Sequence, residues 1–298
     1  MLSGKSWPAH PHPYPDELLT SWLVRIAHAN GVKVQTFCDR VFGSQHQIWN
    51  RDMDRLAPEW LLAQMTKGSG CSMSRVKSTT LTGFEQVLFH ANHASGQLRW
   101  ILPLSIYHRK HRGFGLQCCP LCLAEDEEPY FRRAWRLALF TYCPKHQTML
   151  LDRCPECDST IEFHRIELGR PQQIDVDSLA TCWQCGFDLR KGTVEPVEKW
   201  DRMVFATWER SLRFLARGWR CKSRFYYSRL DVLHQLCAII VSMRLAPKLQ
   251  GYICSLAPLP IHPLLRDRIS FDQRCLAERH SVLGLAWWLM MVWPKRLI

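Results

Sequence analysis

The chain has 298 residues, of which 47% are hydrophobic and 22% charged, so it can bury a sizeable core divided into two or three subdomains. Its 39 Lys and Arg outnumber its 27 Asp and Glu, and the formal net charge of +12 favours nucleic acid, an acidic membrane surface or an acidic protein as partner. The longest apolar run, residues 282–293, is too short to span a bilayer, and the first residues lack the pattern of a signal peptide. We therefore expect a soluble cytoplasmic protein without membrane contact.

The first strong pattern is that of two helices in close succession. Asp16 is a candidate N-cap for a helix from about Glu17 to Asn30, which Gly31 would end. A second helix is predicted at Val34–Phe42, and the short connection is typical of a helix-turn-helix. An ordinary helical hairpin with a solvated polar face remains the alternative. The outward polar side chains that are candidates for contacts to phosphates or base edges are Lys33, Gln35 and Arg40.

Further helices are predicted in the N-terminal third of the chain, at Pro58–Thr66, Ser74–Thr79 and Leu81–His93. A basic, His-rich run follows at His108–Arg112, and it either contacts phosphates or forms a solvated linker. We interpret residues 1–112 as a helical N-terminal domain that contains the helix-turn-helix.

Four pairs of Cys or His with the same two-residue gap dominate the middle of the chain. The pairs are Cys119 and Cys122, Cys143 and His146, Cys154 and Cys157, and Cys182 and Cys185. Each such turn directs two side chains at one tetrahedral ion, so two pairs complete a closed structural zinc site. Eight ligands predict two Zn²⁺ ions per chain, held by tandem zinc-binding modules within residues 113–195.

Sequential sharing, of the first pair with the second and the third with the fourth, is favoured over an interleaved arrangement because each loop then closes locally. A thioredoxin-like redox motif would explain only one pair of the four. Disulfides require an oxidising compartment, and catalytic zinc keeps an open coordination position. Cys118 adjoins the first ligand but has no partner at the right gap, so we expect it to be a spare thiol.

The segment between the first two pairs contains a charge run, Glu125–Glu128, which is predicted to be a solvated turn. A helix is then expected to begin at Tyr130, with Phe131, Trp135 and Leu139 packed toward the zinc turns. The arginines of this helix that are expected to stay outside are Arg132, Arg133 and Arg136.

Helical periodicity returns in residues 196–298, which we interpret as a helical C-terminal domain. Apolar stripes predict helices around Val204–Leu215, Leu233–Val241 and Leu276–Met291. The densest basic cluster of the chain accompanies the first of them and is a candidate for contact with phosphates or an acidic partner, a solvated face being the alternative. Its members are Arg210, Arg213, Arg217, Arg220, Lys222, Arg224 and Arg229, and the first six are the candidate contacts.

Several of these motifs together resemble one protein family. The segment Pro13–Leu23, with the sequence PYPDELLTSWL, resembles the opening of the TniQ/TnsD family of transposon target-selection proteins. The resemblance continues in the zinc segment and near the end of the chain, at Cys119–Cys122, Pro129–Arg136, Cys143–His146, Cys154–Cys157, Arg279–His280 and Trp293–Pro294.

The resemblance implies a bacterial, non-catalytic adaptor for transposition. Such proteins link a target-recognising component to the AAA+ ATPase of the machinery. That component is an RNA-guided effector complex in CRISPR-associated transposons, whereas TnsD-like members bind a DNA site themselves. The family's zinc ligands carry over to the eight positions above, and some members form homodimers. TnsD-like proteins have a long additional C-terminal region for DNA binding, so the end of this chain at Ile298 favours a TniQ-type adaptor.

We therefore expect a mainly α protein with a helical N-terminal domain, central tandem zinc-finger modules resembling zinc ribbons, and a helical C-terminal domain. The expected function is target selection as an adaptor between a CRISPR effector complex or target DNA and the AAA+ ATPase. A sequence-specific DNA-binding protein that reads the target site through helix-turn-helix units is the alternative. An integrase-type transposase is disfavoured, because its three carboxylates lie in an α/β core that binds Mg²⁺.

Overall fold

The computed structural model of the chain describes residues 6–104, 106–107, 110–111, 113, 115–167, 178–198, 200–216, 224–242, 246–256 and 269–291. Within these residues the fold is mainly α, as predicted, with ten α-helices and two small antiparallel sheets of two strands each. Over the same residues, every helix is too short or too polar to serve as a transmembrane segment.

The helices are α1 Leu19–Ala29, α2 Val34–Phe42, α3 Met53–Leu56, α4 Glu59–Ser69, α5 Met73–Lys77, α6 Pro120–Glu125, α7 Arg202–Ala216, α8 Arg224–Ile240, α9 Ala246–Leu256 and α10 Leu276–Met291. The strands are β1 Ile106–Tyr107, β2 Lys110–His111, β3 Tyr142–Cys143 and β4 Thr148–Met149, and β1 pairs with β2 and β3 with β4. The predicted limits of α2 are confirmed, and α1, α4 and α5 match their predictions within a few residues.

Helix α1 lies at the centre of the N-terminal part and is buried along nearly its whole length. It packs against α2, α3 and a 3₁₀ turn at Phe163–Arg165. The prediction that Asp16 caps this helix is wrong. Leu18 occupies the cap position, and the first amides bind distant groups instead: the Thr20 amide donates to Asp54 Oδ1 at 2.8 Å. The start of α1 is therefore stabilised by tertiary contacts.

The predicted helix at Leu81–His93 is also wrong. Only Leu81–Phe84 is helical, as a 3₁₀ turn, and the chain then reverses so that the Gln86 amide donates to Phe89 O at 2.8 Å. Gln86 has a φ of 64°, in the left-handed region that ends a helix. The reversal lets the consecutive apolar residues Val87–Phe89 all become buried, which a helix with one apolar face does not allow.

The segment that follows Tyr130 does not begin a helix either, because its backbone bonds to the chain that precedes α1. The Leu18 amide donates to Phe131 O and the Arg133 amide donates to Asp16 O, each at 2.8 Å. Only Arg133–Arg136 forms a 3₁₀ turn. The expected exposure of its arginines is wrong for Arg136, whose side chain is completely buried, whereas Arg132 and Arg133 are partly buried.

In the C-terminal part, α10 packs against both α7 and α8 and is buried from Leu276 to Met290 except at Ala277. It also contacts the segment that carries the Cys/His pairs: Arg279 Nη1 donates to Ala138 O at 3.0 Å, and His280 Nδ1 lies 2.8 Å from Thr141 Oγ1. The three predicted C-terminal helices are present, and α9 is an additional one. The division into three domains at residues 112 and 195 stays a prediction.

Candidate metal centres

Four ligand atoms converge where α6 meets the β3–β4 hairpin. We call Cys119, Cys122, Cys143 and His146 the first tetrad; their ligand atoms all lie within 4.8 Å of one another. His146 Nδ1 is 3.3, 3.4 and 3.5 Å from the sulfurs of the three cysteines in chain order, and the sulfurs of Cys122 and Cys143 are 3.6 Å apart. A tetrahedron with metal–sulfur bonds of about 2.3 Å has edges of roughly 3.5–3.8 Å. The first tetrad therefore fits one zinc-sized ion.

The second tetrad consists of Cys154, Cys157, Cys182 and Cys185, whose sulfurs also lie within 4.8 Å of one another. Cys154 Sγ is 3.7 Å from Cys185 Sγ, and Cys157 Sγ is 3.7 Å from Cys182 Sγ. These separations are far longer than a disulfide bond of about 2.05 Å and match the edges of a zinc–thiolate tetrahedron. The ligands are shared sequentially, as the sequence predicts, and each tetrad is complete within its own two pairs.

Three of the four pairs lie on the same kind of turn. In each, the residue four positions after the first Cys has a left-handed backbone, with φ of 56° at Gln147, 57° at Asp158 and 79° at Gly186. Its amide donates to the carbonyl of that first Cys at 2.8 to 2.9 Å. A bridge across residues 142–149, 153–160 or 181–188 closes each turn. The turn is a local unit, so spacing alone predicts its ligands.

The pair Cys119 and Cys122 differs because it lies on a helix. Cys119 is the N-cap of α6, Pro120 occupies the first turn, and Cys122 lies one turn along. The free amides of a helix N-terminus favour a negative charge, which suits a thiolate ligand. Hydrogen bonds from the thiols of Cys122 and Cys143 and from the Cys122 amide lower the pKa of Cys119.

Amide and hydroxyl donors also surround the sulfurs of the second tetrad. Burial raises the pKa of the Cys154 thiol, and hydrogen bonds from the amides of Cys157 and Glu156 oppose this effect. Burial raises the pKa of Cys182, but hydrogen bonds from Ser159 Oγ and from the amides of Cys185 and Gln184 outweigh it and lower this pKa to about 7. These donors stabilise thiolates, the form in which cysteine binds a metal.

His146 is oriented by a carboxylate. Its Nδ1 faces the three sulfurs, and its Nε2 lies 3.0 Å from Oε1 of Glu125, the last residue of α6. With the proton held on Nε2, Nδ1 keeps its lone pair for an ion, which is the usual arrangement of carboxylate, histidine and zinc. The prediction that Glu125–Glu128 is a solvated turn holds only in part, because Glu125 and Glu127 are exposed but Asp126 pairs with Arg132 and Glu128 with Arg25. Nothing in the sequence pattern indicates the contact of Glu125 with His146.

Cys118 lies outside both tetrads, as predicted. Its backbone pairs with Leu151 through two hydrogen bonds of 2.8 Å, and its side chain is completely buried. Burial raises the pKa of its thiol well above the ordinary range, so it stays protonated and apolar.

The candidate nucleic-acid contacts fall in two separate places. At α2, the N-cap residue Lys33 and Gln35 of the first turn are partly buried, and Arg40 is exposed. On α7, Arg210 and Arg213 are exposed. Arg213 Nη2 lies 3.4 Å from Pro144 O, beside the first tetrad, and pairs with Glu209 at 3.1 Å. Three members of the basic cluster lie outside the described residues: Arg217, Arg220 and Lys222. The side chain of Arg224 is also outside the described part of the chain. Their role in binding stays a prediction.

The geometry defines a class of protein: a helical protein in which two closed Cys/His tetrads hold the middle of the chain. The family model described as TniQ matches residues 8–150, from the lead into α1 through the first tetrad. Residues 8–150, just under half of the chain, thus match the TniQ family of transposition-associated target-selection proteins. No curated protein matches the chain. The second tetrad and helices α7 to α10 lie beyond the matched residues.

Proposed function

We propose that the chain is a non-catalytic adaptor that links a target-recognising complex to the AAA+ ATPase of a transposon. The match to the TniQ family over residues 8–150 carries this proposal. The target-recognising complex would be an RNA-guided CRISPR effector or a protein assembled on target DNA. The basic net charge of +12 supports a partner that is a nucleoprotein or carries acidic surfaces.

In this proposal both tetrads hold Zn²⁺, and the metal is structural. Eight donors close two tetrahedral shells, so each ion supplies folding free energy to turns that have little core of their own. The clamped segment then contacts both helical parts: its 3₁₀ turn at Phe163–Arg165 packs against α1, and Thr141 contacts His280 of α10. A rigid centre of this kind lets the N-terminal and C-terminal helices present separate faces to different partners.

Direct reading of a DNA site by α2 is the second candidate. Arg40 and Thr36 on the exposed face of α2 favour it, because both can bond to phosphates or base edges. Asp39 is exposed next to them and opposes a phosphate contact. We therefore propose the adaptor as the main function and treat DNA reading as the competing outcome.

A retention experiment separates the two functions. The zinc-loaded full chain is immobilised and exposed to the AAA+ ATPase, to the effector complex, and to DNA with and without the target site. An adaptor retains the ATPase and the effector complex, and binds DNA weakly with a steep dependence on salt. Cys154→Ser should abolish retention by unfolding the second tetrad, whereas Cys118→Ser, which removes a spare thiol, should leave it unchanged.

Tight binding to one DNA site at physiological salt, without retention of the ATPase, would establish the second candidate and refute the adaptor. Sedimentation of the same preparation measures whether the chain is a homodimer, as the family resemblance implies. Retention that survives Cys154→Ser would contradict the structural role of the second tetrad and leave the adaptor function standing.

A further inference from the structure

The two tetrads differ in how far solvent reaches their sulfurs. In the first tetrad, Cys119, Cys122 and Cys143 are each at most 5% exposed. In the second tetrad, Cys157 and Cys185 are exposed, whereas Cys154 and Cys182 are buried. Each turn of the second tetrad thus contributes one buried and one exposed sulfur. A dissolved oxidant or chelator can reach the second tetrad directly, and the protein covers the sulfurs of the first.

The sulfurs of the second tetrad are also arranged for oxidation in pairs. The two 3.7 Å separations, from Cys154 to Cys185 and from Cys157 to Cys182, each join one turn to the other. Each pair contains one exposed sulfur for initial attack and one buried sulfur to resolve the product. Ser159 Oγ accepts a hydrogen bond from Cys157 Sγ at 3.1 Å and lies 3.3 Å from Cys182 Sγ, so its single hydroxyl proton can stabilise the thiolate of Cys182.

We propose that the second tetrad is a redox-modification site at which hydrogen peroxide forms disulfides Cys154–Cys185 and Cys157–Cys182 and releases the metal, while the first tetrad stays loaded. An exposed thiolate attacks one peroxide oxygen, and the O–O bond breaks to give a sulfenic acid and, with a proton, one water. The neighbouring thiolate then attacks the sulfenic sulfur, and the hydroxyl leaves with a second proton as another water. Each disulfide takes two electrons from two thiolates, so two peroxide molecules oxidise one tetrad and its Zn²⁺ passes into solution.

Loss of this metal would reach α2 through the carboxylate of Glu167. Glu167, ten residues beyond Cys157, accepts a 2.8 Å hydrogen bond from the Val34 amide at the start of α2. Its other oxygen lies 3.0 Å from Nε2 of His28 on α1. The N-cap residue of α2, Lys33, makes no side-chain cap, so Glu167 supplies the cap from the segment that the second tetrad closes. Release of the ion would free this segment and weaken the start of α2.

Two contacts near Glu167 reinforce the same connection. The ring of His164 stacks on Trp49 with centroids 4.6 Å apart, and the Phe163 ring lies 4.6 Å from that of Phe131. The 3₁₀ turn at Phe163–Arg165 also packs against α1, so the segment 163–167 is held against the N-terminal part. Oxidation of the second tetrad would thus change the stability of α2, whose exposed face carries the candidate contacts.

The test uses the zinc-loaded full chain and needs no transposition partner, so its failure is distinct from failure of the proposed function. Peroxide is added in the presence of a chromophoric zinc chelator, and released zinc, remaining zinc and disulfide positions are measured by absorbance, elemental analysis and peptide mapping. We expect one of the two ions to leave well before the other, with disulfides only between the two turns of the second tetrad. Simultaneous release, earlier loss from the first tetrad, or disulfides at Cys119, Cys122 or Cys143 would overturn the proposal.

Amide hydrogen exchange of the same samples tests the connection to α2. Exchange at Val34 and in the first turn of α2 should rise when the first ion leaves. In Glu167→Gln, which weakens the cap and leaves all eight ligands in place, zinc release should follow the same course, but α2 exchange should start high and change little. Cys118→Ser should behave like the native chain in every readout. Unchanged exchange at Val34 after release would refute the connection.

Discussion

Arg136 Nη2 lies 2.6 Å from Asp52 Oδ2 in the protein interior, and the arginine side chain has no exposed surface. Its Nη1 is 3.3 Å from Asp54 Oδ2, and Nη2 also donates to Leu102 O at 3.0 Å. Asp54 in turn accepts hydrogen bonds from the amide and hydroxyl of Thr20 in α1. Burial raises the pKa of Asp54 to about 7 against the opposing effect of Arg136. One buried cation thus joins three segments of the N-terminal part.

Removing that cation should be strongly destabilising. Arg136→Met keeps the volume but leaves two buried carboxylates without a cation, so we expect a loss of about 3–5 kcal/mol in the free energy of unfolding. Urea denaturation at saturating zinc measures it. Arg190→Met, which breaks an exposed pair with Asp188, is the matched control and should cost about 1 kcal/mol or less. Equal losses in the two variants would show that the interior pair contributes no more than a surface pair.

The burial of Arg136 shows where sequence patterns fail. The spacing of Phe131, Trp135 and Leu139 is that of an amphipathic helix, which would leave the arginines in solvent. The structure instead commits the backbone of this segment to residues more than a hundred positions away, at Asp16 and Leu18. Long-range backbone pairing of this kind overrides local periodicity, and the residues of the segment itself do not predict it.

The metal centres were predictable because their geometry is local. Two ligands per turn at the same two-residue gap identify all eight ligands without any knowledge of the fold. The left-handed positions Gln147, Asp158 and Gly186, each four residues after a Cys, repeat along the chain and would have strengthened the prediction. The missed α9 also carried a signal, since Pro247 lies in its first turn, where proline is favoured.

Each tetrad should bind its metal ion independently of the other. Elemental analysis of the purified chain should give two Zn²⁺ per polypeptide. Cys119→Ser should lower this to one, because it removes a ligand of the first tetrad alone and the two tetrads share none. Cys118→Ser should keep both ions, since that thiol lies outside the tetrads. Loss of both ions from Cys119→Ser would contradict the independence of the two sites.

The carboxylate that orients His146 should tune affinity at the first tetrad only. Glu125→Ala removes the acceptor 3.0 Å from His146 Nε2, so zinc affinity at this tetrad should fall by about 10–100-fold. Competition with a chelator of known affinity measures each site in turn. Glu127→Ala removes an exposed carboxylate of the same charge run and should leave both affinities unchanged. Equal effects of the two variants would mean that Glu125 acts only through its charge.

Two helical glycines should respond in opposite ways to the same substitution. A Cβ on Gly68 of α4 would lie 2.0 Å from the ring of Trp7, whereas a Cβ on Gly251 of α9 would meet nothing within 4 Å. Trp7 is buried against Phe37, and its amide donates to Gly68 O at 2.8 Å, so the ring has little room to move.

Gly68→Ala should therefore destabilise the chain by about 1–3 kcal/mol, the usual cost of overpacking a core. Gly251→Ala should stabilise it by about 0.5–1 kcal/mol, because alanine loses less backbone entropy in a helix. Urea denaturation of both variants at saturating zinc gives the comparison. If the clash with the indole is the cause, the cost of Gly68→Ala should shrink in a Trp7→Ala background, since the two residues are then energetically coupled. If Gly68→Ala lowers the free energy of unfolding by the same amount in that background, the loss comes from α4 itself and not from the clash with Trp7.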